Sequence, residues 1–391
     1  MNDRASAQRL PLDRVSMLAS RRDSRGRFER ICRGFSLGAL LIAGAHGATA
    51  GEALRPPAGY LRAVHLQKSS SATCAPAPAP FTTPLDFPSK YAGSGSARDV
   101  LDPEAERQYK LTTLPITQME KGLSSLVTRF MASGNPSQLE CAVTWLSAWA
   151  DAQALQGEAT SHTGRSLRKW SLGSLSSAYL RLKFSSSRPL EKYPEQAAHI
   201  EAWLAGVADR MALEWSPQAP LRKINNHYYW AAWAMMATAV ATNRRDLLDQ
   251  AVAIYHVFAS QVDENGYLPN ELTRASRAAQ YHAYAMLPIA MVAAFGKANG
   301  VDLAAEGDHA LMRLSQRTQA ALENPSSFAA RAGARQEEPS NSKSAWAWLE
   351  PYCWTVSCDP PLQARLVSLR PLLATRLGGD LSAVFAERVA P

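Results

Sequence analysis

Signatures for phosphate cradling, dinucleotide binding, zinc proteolysis and serine hydrolysis are all missing from this sequence. It has no P-loop, no Gly-x-Gly-x-x-Gly before a strand, no His-Glu-x-x-His and no Gly-x-Ser-x-Gly. The chemistry left to it is acid–base. From residue 100 onward there is no sustained alternation of the strand kind, which argues against a β-rich fold. No apolar run reaches the roughly 20 residues of a membrane helix, so a mature chain with no membrane span is expected. Cysteines number only five, and no histidine stands at ligand spacing from them, so no metal site is expected.

What is present begins with charge. The formal charge of +8 suggests a polyanionic partner, but nine arginines in the first 50 residues face only Asp3, Asp13, Asp23 and Glu29. That puts +5 there and leaves +3 for the rest. A mildly basic body can hold a polyanion in a groove, yet net charge alone does not separate nucleic acid from other polyanions. The same 50 residues have the three parts of a secretory signal: a basic stretch ending at Arg33, an apolar stretch from Phe35 to about Gly44, and a small-residue site at Ala48-Thr49-Ala50. The expected organisation is a signal over 1–50, a flexible Pro/Ala-rich arm over 51–84 and one folded domain over 85–391. Export implies a place outside the cytoplasm. Cys32 is lost with the leader, and the four cysteines that remain allow three disulfide pairings. The short spacing of Cys353 and Cys358, with Pro360-Pro361 stiffening the exit, favours a local bridge there, and Cys74 with Cys141 follows by elimination.

Apolar residues after residue 100 recur at three and four, helix after helix. Cys141, Trp145 and Trp149 share one face; Trp230, Trp233, Ala237 and Ala241 mark a second helix. A third runs from Asp246 to Val262, and a fourth from about Ser276 to Asn299, with a kink expected at Pro288. Further helices fit near 169–183, 195–214 and 303–321. Successive helices with short links pack as antiparallel pairs, and enough pairs curl into a toroid with a cleft on one face; a plain bundle is the alternative. The polar segment from Gln336 to Lys343 breaks the pattern as a mobile loop would.

Two polar clusters stand out. Lys223-Ile224-Asn225-Asn226-His227-Tyr228-Tyr229-Trp230 precedes an otherwise apolar helix, and it holds more polar groups than the single residue that capping needs. Asn270-Glu271-Leu272-Thr273-Arg274 is followed by Arg277 and Tyr281-His282. Seven residues are close to two helical turns, so if the helix starts early enough Arg274 and Tyr281 project from one face about 10 Å apart, room for one sugar unit. Ser89-Lys90-Tyr91, with Arg98, sits in a Gly/Ser-rich stretch suited to a lid. Ser161-His162-Thr163-Gly164 is an anion-binding candidate or simply a helix-entry turn. The candidate binding residues are Ser89, Lys90, His162, Thr163 and Trp230.

Taken in order, these segments resemble the periplasmic alginate lyases of polysaccharide lyase family 5, the poly(β-D-mannuronate) lyases. The resemblance runs from about residue 84 to 385 and rests on Arg168-Lys169-Trp170-Ser171-Leu172-Gly173-Ser174-Leu175, Asn225-Asn226-His227, Thr242-Asn243-Arg244-Arg245-Asp246, Gly266-Tyr267-Leu268-Pro269-Asn270-Glu271-Leu272, Tyr281-His282 and Trp348-Leu349-Glu350-Pro351-Tyr352-Cys353. It implies an all-α fold, an incomplete (α/α) toroid of antiparallel helical hairpins. It implies that Asn226, His227, Arg274 and Tyr281 are catalytic, that Lys90 lies in a mobile loop over the substrate, and that Ser89, His162 and Thr163 line sugar subsites. Two departures, Tyr228 in place of the more usual serine and Thr273 in place of a basic residue, bear on subsite preference.

The chemistry so implied is β-elimination from alginate, with polymannuronate and not nucleic acid as partner, no metal or organic cofactor, and a monomer that also has the alginate secretion complex as a candidate partner. Asn226 and Arg274 suit neutralisation of the uronate carboxylate. His227 is assigned as base and Tyr281 as acid, with a version in which Tyr281 does both jobs left open. Two rivals are an inverting glycoside hydrolase, which needs two carboxylates across the cleft, and a non-catalytic polyuronate-binding component of an export assembly.

Overall fold

The structure is a computed structural model and describes residues 52–67, 74–91, 100–338 and 343–386. The signal expected over 1–50, Arg98 and part of the polar segment after Gln336 lie outside the described residues.

Helices dominate, and the sequence punctuates them. In chain order they are α1 (Pro103–Thr112), α2 (Leu114–Ser133), α3 (Pro136–Asp151), α4 (His162–Lys183), α5 (Pro194–Glu214), α6 (Asn226–Thr242), α7 (Arg245–Gln261), the short α8 (Pro269–Leu272) and α9 (Ala278–Ala298). Then come α10 (Glu306–Glu323), α11 (Ala329–Ala332), α12 (Leu349–Val356), α13 (Pro360–Leu369) and α14 (Ser382–Phe385). Side chains of Asp102, Asn135, Ser161 and Asp359 accept backbone N–H bonds at the starts of α1, α3, α4 and α13, three of which begin with proline. Gly134 (φ 70°) and Asn243 (φ 56°) close α2 and α6 in the left-handed region. The chain remains helical through Pro288.

Hairpins α2/α3, α4/α5, α6/α7, α9/α10 and α12/α13 each pack as a pair, and α2, α4, α6, α9 and α12 lie side by side in that order. Five hairpins thus curl into an incomplete (α/α) toroid, with the second helix of each on the outside. Composition explains which helix goes inside. Helices α6 and α9 are apolar or small on nearly every side and are buried all round, whereas α7 and α10 have one apolar stripe. Small residues let the inner helices approach closely: a Cβ on Gly173 of α4 would stand 3.3 Å from the Trp233 ring of α6, and Ser176 bonds Thr238 across the same seam at 2.8 Å. Among the described residues no helix is long and apolar enough to cross a membrane.

In the arm expected to be flexible over 51–84, the described residues 52–67 and 74–84 instead pack on the body. Leu54, Tyr60 and Val64 are buried, and Tyr60 meets Phe295 edge-on at 5.4 Å. Extended Pro-rich backbone leaves its carbonyls unpaired, and the outer helix α3 uses them: the indoles of Trp145 and Trp149 donate to Ala75 O and Pro78 O at 2.9 and 2.8 Å. Both bridges favoured by the cysteine pattern form, Cys74–Cys141 and Cys353–Cys358.

Near the C-terminus, Leu373–Ala374 pairs with Gly379–Asp380 in a two-stranded antiparallel ribbon. The intervening turn, Thr375–Leu377, is drawn against α6 by a bond from the Trp233 indole to Arg376 O at 3.0 Å. Gly378 and Gly379, at φ 99° and 104°, take a backbone conformation that side-chain-bearing residues rarely adopt.

Candidate active site

A cavity of about 430 Å³ opens where the starts of α4, α6 and α9 converge, lined also by residues 89–91 and by Arg376. Residues 89–91 are anchored to the start of α1: Tyr91 forms an isolated antiparallel bridge with Leu101, and Asp102 N bonds Lys90 O at 2.9 Å. Upstream, the arm is laced to the turn before α4 by Leu85 N to Glu158 O (2.7 Å) and Phe87 N to Ser161 Oγ (3.0 Å). A Cβ on Gly164 would collide with Leu85 O, so this crossing depends on that glycine.

The first polar cluster divides its labour. Asn225 caps α6, its Oδ1 accepting from His227 N at 3.0 Å, which relieves Asn226 of that task. Asn226 is fully buried. Its backbone N–H and its side-chain amide both donate to Glu271, the amide at 3.0 Å to each carboxylate oxygen. The two clusters, 45 residues apart, are therefore joined by one carboxylate. Burial pushes the Glu271 carboxyl up, while Arg274 and the Asn226 donors pull it down. Asn226 was expected to donate to substrate, but its amide hydrogens are engaged by Glu271 and its buried Oδ1 has no protein partner.

His227 stands in an aromatic frame. Trp215 stacks on it (5.8 Å, 9° between planes), and His162 meets it edge-on at 4.6 Å. Its Nδ1 faces Ser166 Oγ at 3.1 Å and Lys169 Nζ at 3.0 Å.

Arg274 and Tyr281 do share a site, though not as helix spacing suggested. Arg274 precedes the helix: Ala275 has φ 49°, a 3-10 turn covers Ala275–Arg277, and α9 starts at Ala278. The bend folds the guanidinium onto the Tyr281 ring, 4.6 Å from its centroid, instead of the expected separation of two turns. The Tyr281 hydroxyl lies 3.2 Å from that of Tyr91. Burial and Tyr91 hold the Tyr281 phenol well above the usual tyrosine range, against an opposing pull from Arg274. The hydroxyl is therefore protonated at neutral pH.

Asn226, His227, Arg274, Tyr281, Ser89, Lys90, His162 and Thr163 all line this cavity. Trp230 does not, contrary to expectation: it is buried in α6 with its ring 4.9 Å from that of Tyr284, because one face of an inner helix start points into the core. Gln336, expected to open a mobile loop, is buried and tied to Ala279 N and Ala275 O, and Glu337 pairs with Arg277 at 3.0 Å.

Sequence reasoning missed several lining residues. Ser166 and Trp170 follow His162 at steps of four on α4, and Tyr284 follows Tyr281 by three on α9, so helical spacing from the recognised residues was a usable signal. Arg376 had none. It arrives on the C-terminal turn, donates to Tyr284 OH at 2.7 Å and stacks 4.3 Å from Trp170. The described lining thus has Lys90, Arg274, Arg277 and Arg376 and no carboxylate. Such a surface suits a polyanion, and it lacks the facing acids that glycoside hydrolysis requires.

Residues 86–328 match the family described as Alginate lyase. The chain is 51% identical over 351 residues to an alginate lyase of Azotobacter vinelandii, covering 89% of this chain and 93% of that protein. It is 48% identical over 335 residues to one of Pseudomonas aeruginosa, covering 85% and 91%. Among solved structures, alginate lyase A1-III from Sphingomonas species A1 superposes with a TM-score of 0.65 at 21% identity, over 82% of this chain and 88% of that one. A variant of A1-III complexed with a tetrasaccharide gives 0.68 over the same shares, also at 21% identity. At that identity the likeness concerns the fold.

Proposed function

The chain belongs to the alginate lyase family, and from that premise we propose that it depolymerises polymannuronate by β-elimination, leaving a 4,5-unsaturated uronate at each new non-reducing end. The observation that carries this reading is the pairing of a protonated phenol with a guanidinium stacked on it, inside a cavity whose described lining is cationic and free of carboxylates.

Elimination removes the proton from C5, forms the C4–C5 double bond and expels the C4 oxygen with its glycosidic bond. The carboxylate on C5 resists a carbanion beside it, so its charge must first be quenched. Arg274 is the principal group for this, and a fixed donor of that kind contributes roughly 3–4 kcal/mol to the transition state. Tyr281, protonated in the resting site, delivers its proton to the departing oxygen. Whether His227 or Tyr281 receives the C5 proton turns on the tautomer of His227. Asn226, with its amide held by Glu271, presents a carbonyl oxygen that suits a uronate hydroxyl or a carboxyl that carries a proton. Protein donors supply the charge that a cation would otherwise bring, so the rate is expected to be unchanged in chelator.

A periplasmic setting is part of the proposal, supported by the signal-like first 50 residues and by two disulfides, which persist in oxidising compartments. The test is ultraviolet absorbance during incubation of purified protein with polymannuronate in chelator. A rising signal from the conjugated double bond is expected. New reducing ends without it would mean hydrolysis, and no change in either would leave only binding.

A further inference from the structure

Lys169 is fully buried in α4 and does not line the cavity, and the reading above gives it no task. A buried amine requires partners. Here they are an imidazole nitrogen, His227 Nδ1 at 3.0 Å, and the faces of two indoles, Trp215 at 3.7 Å and Trp170 at 4.8 Å from Nζ to ring centroid. The indoles favour a cation, and the same two rings flank the imidazole, each 5.8 Å from it. Ser166 Oγ reaches the same Nδ1 at 3.1 Å from one turn earlier on α4.

An ammonium has hydrogens to give and no lone pair to offer, whereas a neutral imidazole has one N–H and one acceptor nitrogen. A ring nitrogen that faces an ammonium is therefore the acceptor, and the hydrogen sits on the other nitrogen. We propose that Lys169, assisted by Ser166, is a positioning residue that locks His227 in the Nε2–H tautomer, so that His227 offers the substrate carboxylate a hydrogen-bond donor and not a proton-accepting lone pair. This rests on the elimination reading for its consequence. The C5 proton then falls to Tyr281, which enters the step as the phenolate beside the Arg274 guanidinium, its resting proton having gone to solvent, and passes the proton taken from C5 on to the departing C4 oxygen; on this reading the initial assignment of His227 as base is replaced.

The charges around Lys169 set the pH range of the lock. Burial holds its amine well below the usual lysine range, Arg376 from the C-terminal turn adds to that, Glu214 from α5 opposes it, and Arg165 on α4 adds again. Arg168, on the same helix, is paired with Glu214. The lock weakens as the pH rises, when the amine acquires a lone pair.

Nitrogen-15 NMR of the purified full chain with labelled histidines tests this without substrate, the His227 signal being identified by its loss in His227→Gln. A protonated Nε2 and an imine-type Nδ1 near neutral pH are expected; a protonated Nδ1 would overturn the proposal. In Lys169→Met the tautomers should mix and kcat for polymannuronate should drop on the order of 10²-fold, the effect of losing one fixed donor, with little change in KM. Ser166→Ala, a small change that leaves the core filled, should move the same signal in the same direction. An unmoved tautomer in a folded Lys169→Met would also overturn the proposal. His227→Gln, which keeps a donor amide, should exceed His227→Ala in turnover, and equal losses would restore the base role. Absence of any unsaturated product from the unaltered protein would refute the elimination reading and leave the tautomer measurement standing.

Discussion

Opening the Cys74–Cys141 bridge is a perturbation whose magnitude follows from the chain itself. The bridge joins residues 67 apart in sequence, and the second bridge, Cys353–Cys358, joins residues 5 apart. Constraint of the unfolded chain grows with the logarithm of the closed loop, which gives about 4 kcal/mol for the long loop and about 2 kcal/mol for the short one at 25 °C. The paired variants Cys74→Ala/Cys141→Ala and Cys353→Ala/Cys358→Ala should therefore lose stability in roughly a two-to-one ratio. Urea unfolding at equilibrium in oxidising buffer, followed by tryptophan fluorescence, measures this, and the chain has ten tryptophans to report it. The site should survive the longer cut under native conditions. Backbone bonds from Leu155 N to Phe81 O (2.8 Å) and Leu85 N to Glu158 O (2.7 Å), with Phe87 N on Ser161 Oγ (3.0 Å), still lead the arm to Ser89, Lys90 and Tyr91. Activity well below the denaturation midpoint should be little altered. Equal losses for the two variants, or a loss under about 1 kcal/mol for the long loop, would refute the loop-entropy reasoning. A collapse of kcat with stability intact would mean instead that the bridge shapes the site directly.

Tyr281→Phe should lower the elimination rate by roughly 10²–10⁴-fold, the usual contribution of a positioned proton donor, while leaving the melting temperature almost unchanged; a near-normal rate would remove Tyr281 from the chemistry. Arg376→Gln should raise KM for the polymer more than it lowers kcat, because Arg376 lines the cavity but is anchored to Tyr284 and Trp170. His282 governs acid sensitivity. Its Nε2 accepts from Leu268 N and its Nδ1 bonds Ala278 O, both at 2.8 Å, and burial lowers it from 6.5 to about 4. A depressed value means that its contribution, about 3 kcal/mol, is present above pH ~6.5 and is lost as pH falls through about 4. The stability difference between the unaltered protein and His282→Gln should therefore shrink over that interval, and a constant difference would contradict it. Buried Glu120 and Glu271, both pushed up by burial, contribute with the opposite sign, which is why the comparison is made against the single variant.

Much of the helical layout was legible because it depends on local rules. The caps at Asn135 and Ser161 and the apolar steps along α6, α7 and α9 are readable within a few residues of sequence. So was the crowding of Asn225, Asn226 and His227, where more polar groups stood than one cap could use. The errors fell where spacing was extended beyond the element that justified it. Arg274 and Tyr281 share a helix face only if the helix starts early enough, and a left-handed Ala275 ends that continuity and converts a two-turn separation into a stack. Trp230 was grouped with its neighbours in sequence, but adjacent residues on a helix point about 100° apart, and this one points into the core.

The sequence by itself determined the helices between about residues 141 and 321, which cysteine pairing is favoured, and that two polar clusters interrupt an apolar framework, since each depends on neighbours a few residues away or on a small set of pairings; the helices α1, α2, α12 and α13 it did not place. Only the tertiary structure decided that Glu271 clamps Asn226, that Lys169 faces His227 and that Arg376 lines the cavity. The partners in those three contacts come from different hairpins, from the short α8 between two of them or from the C-terminal ribbon, and nothing in local spacing records which faces will meet once five hairpins curl around a shared centre.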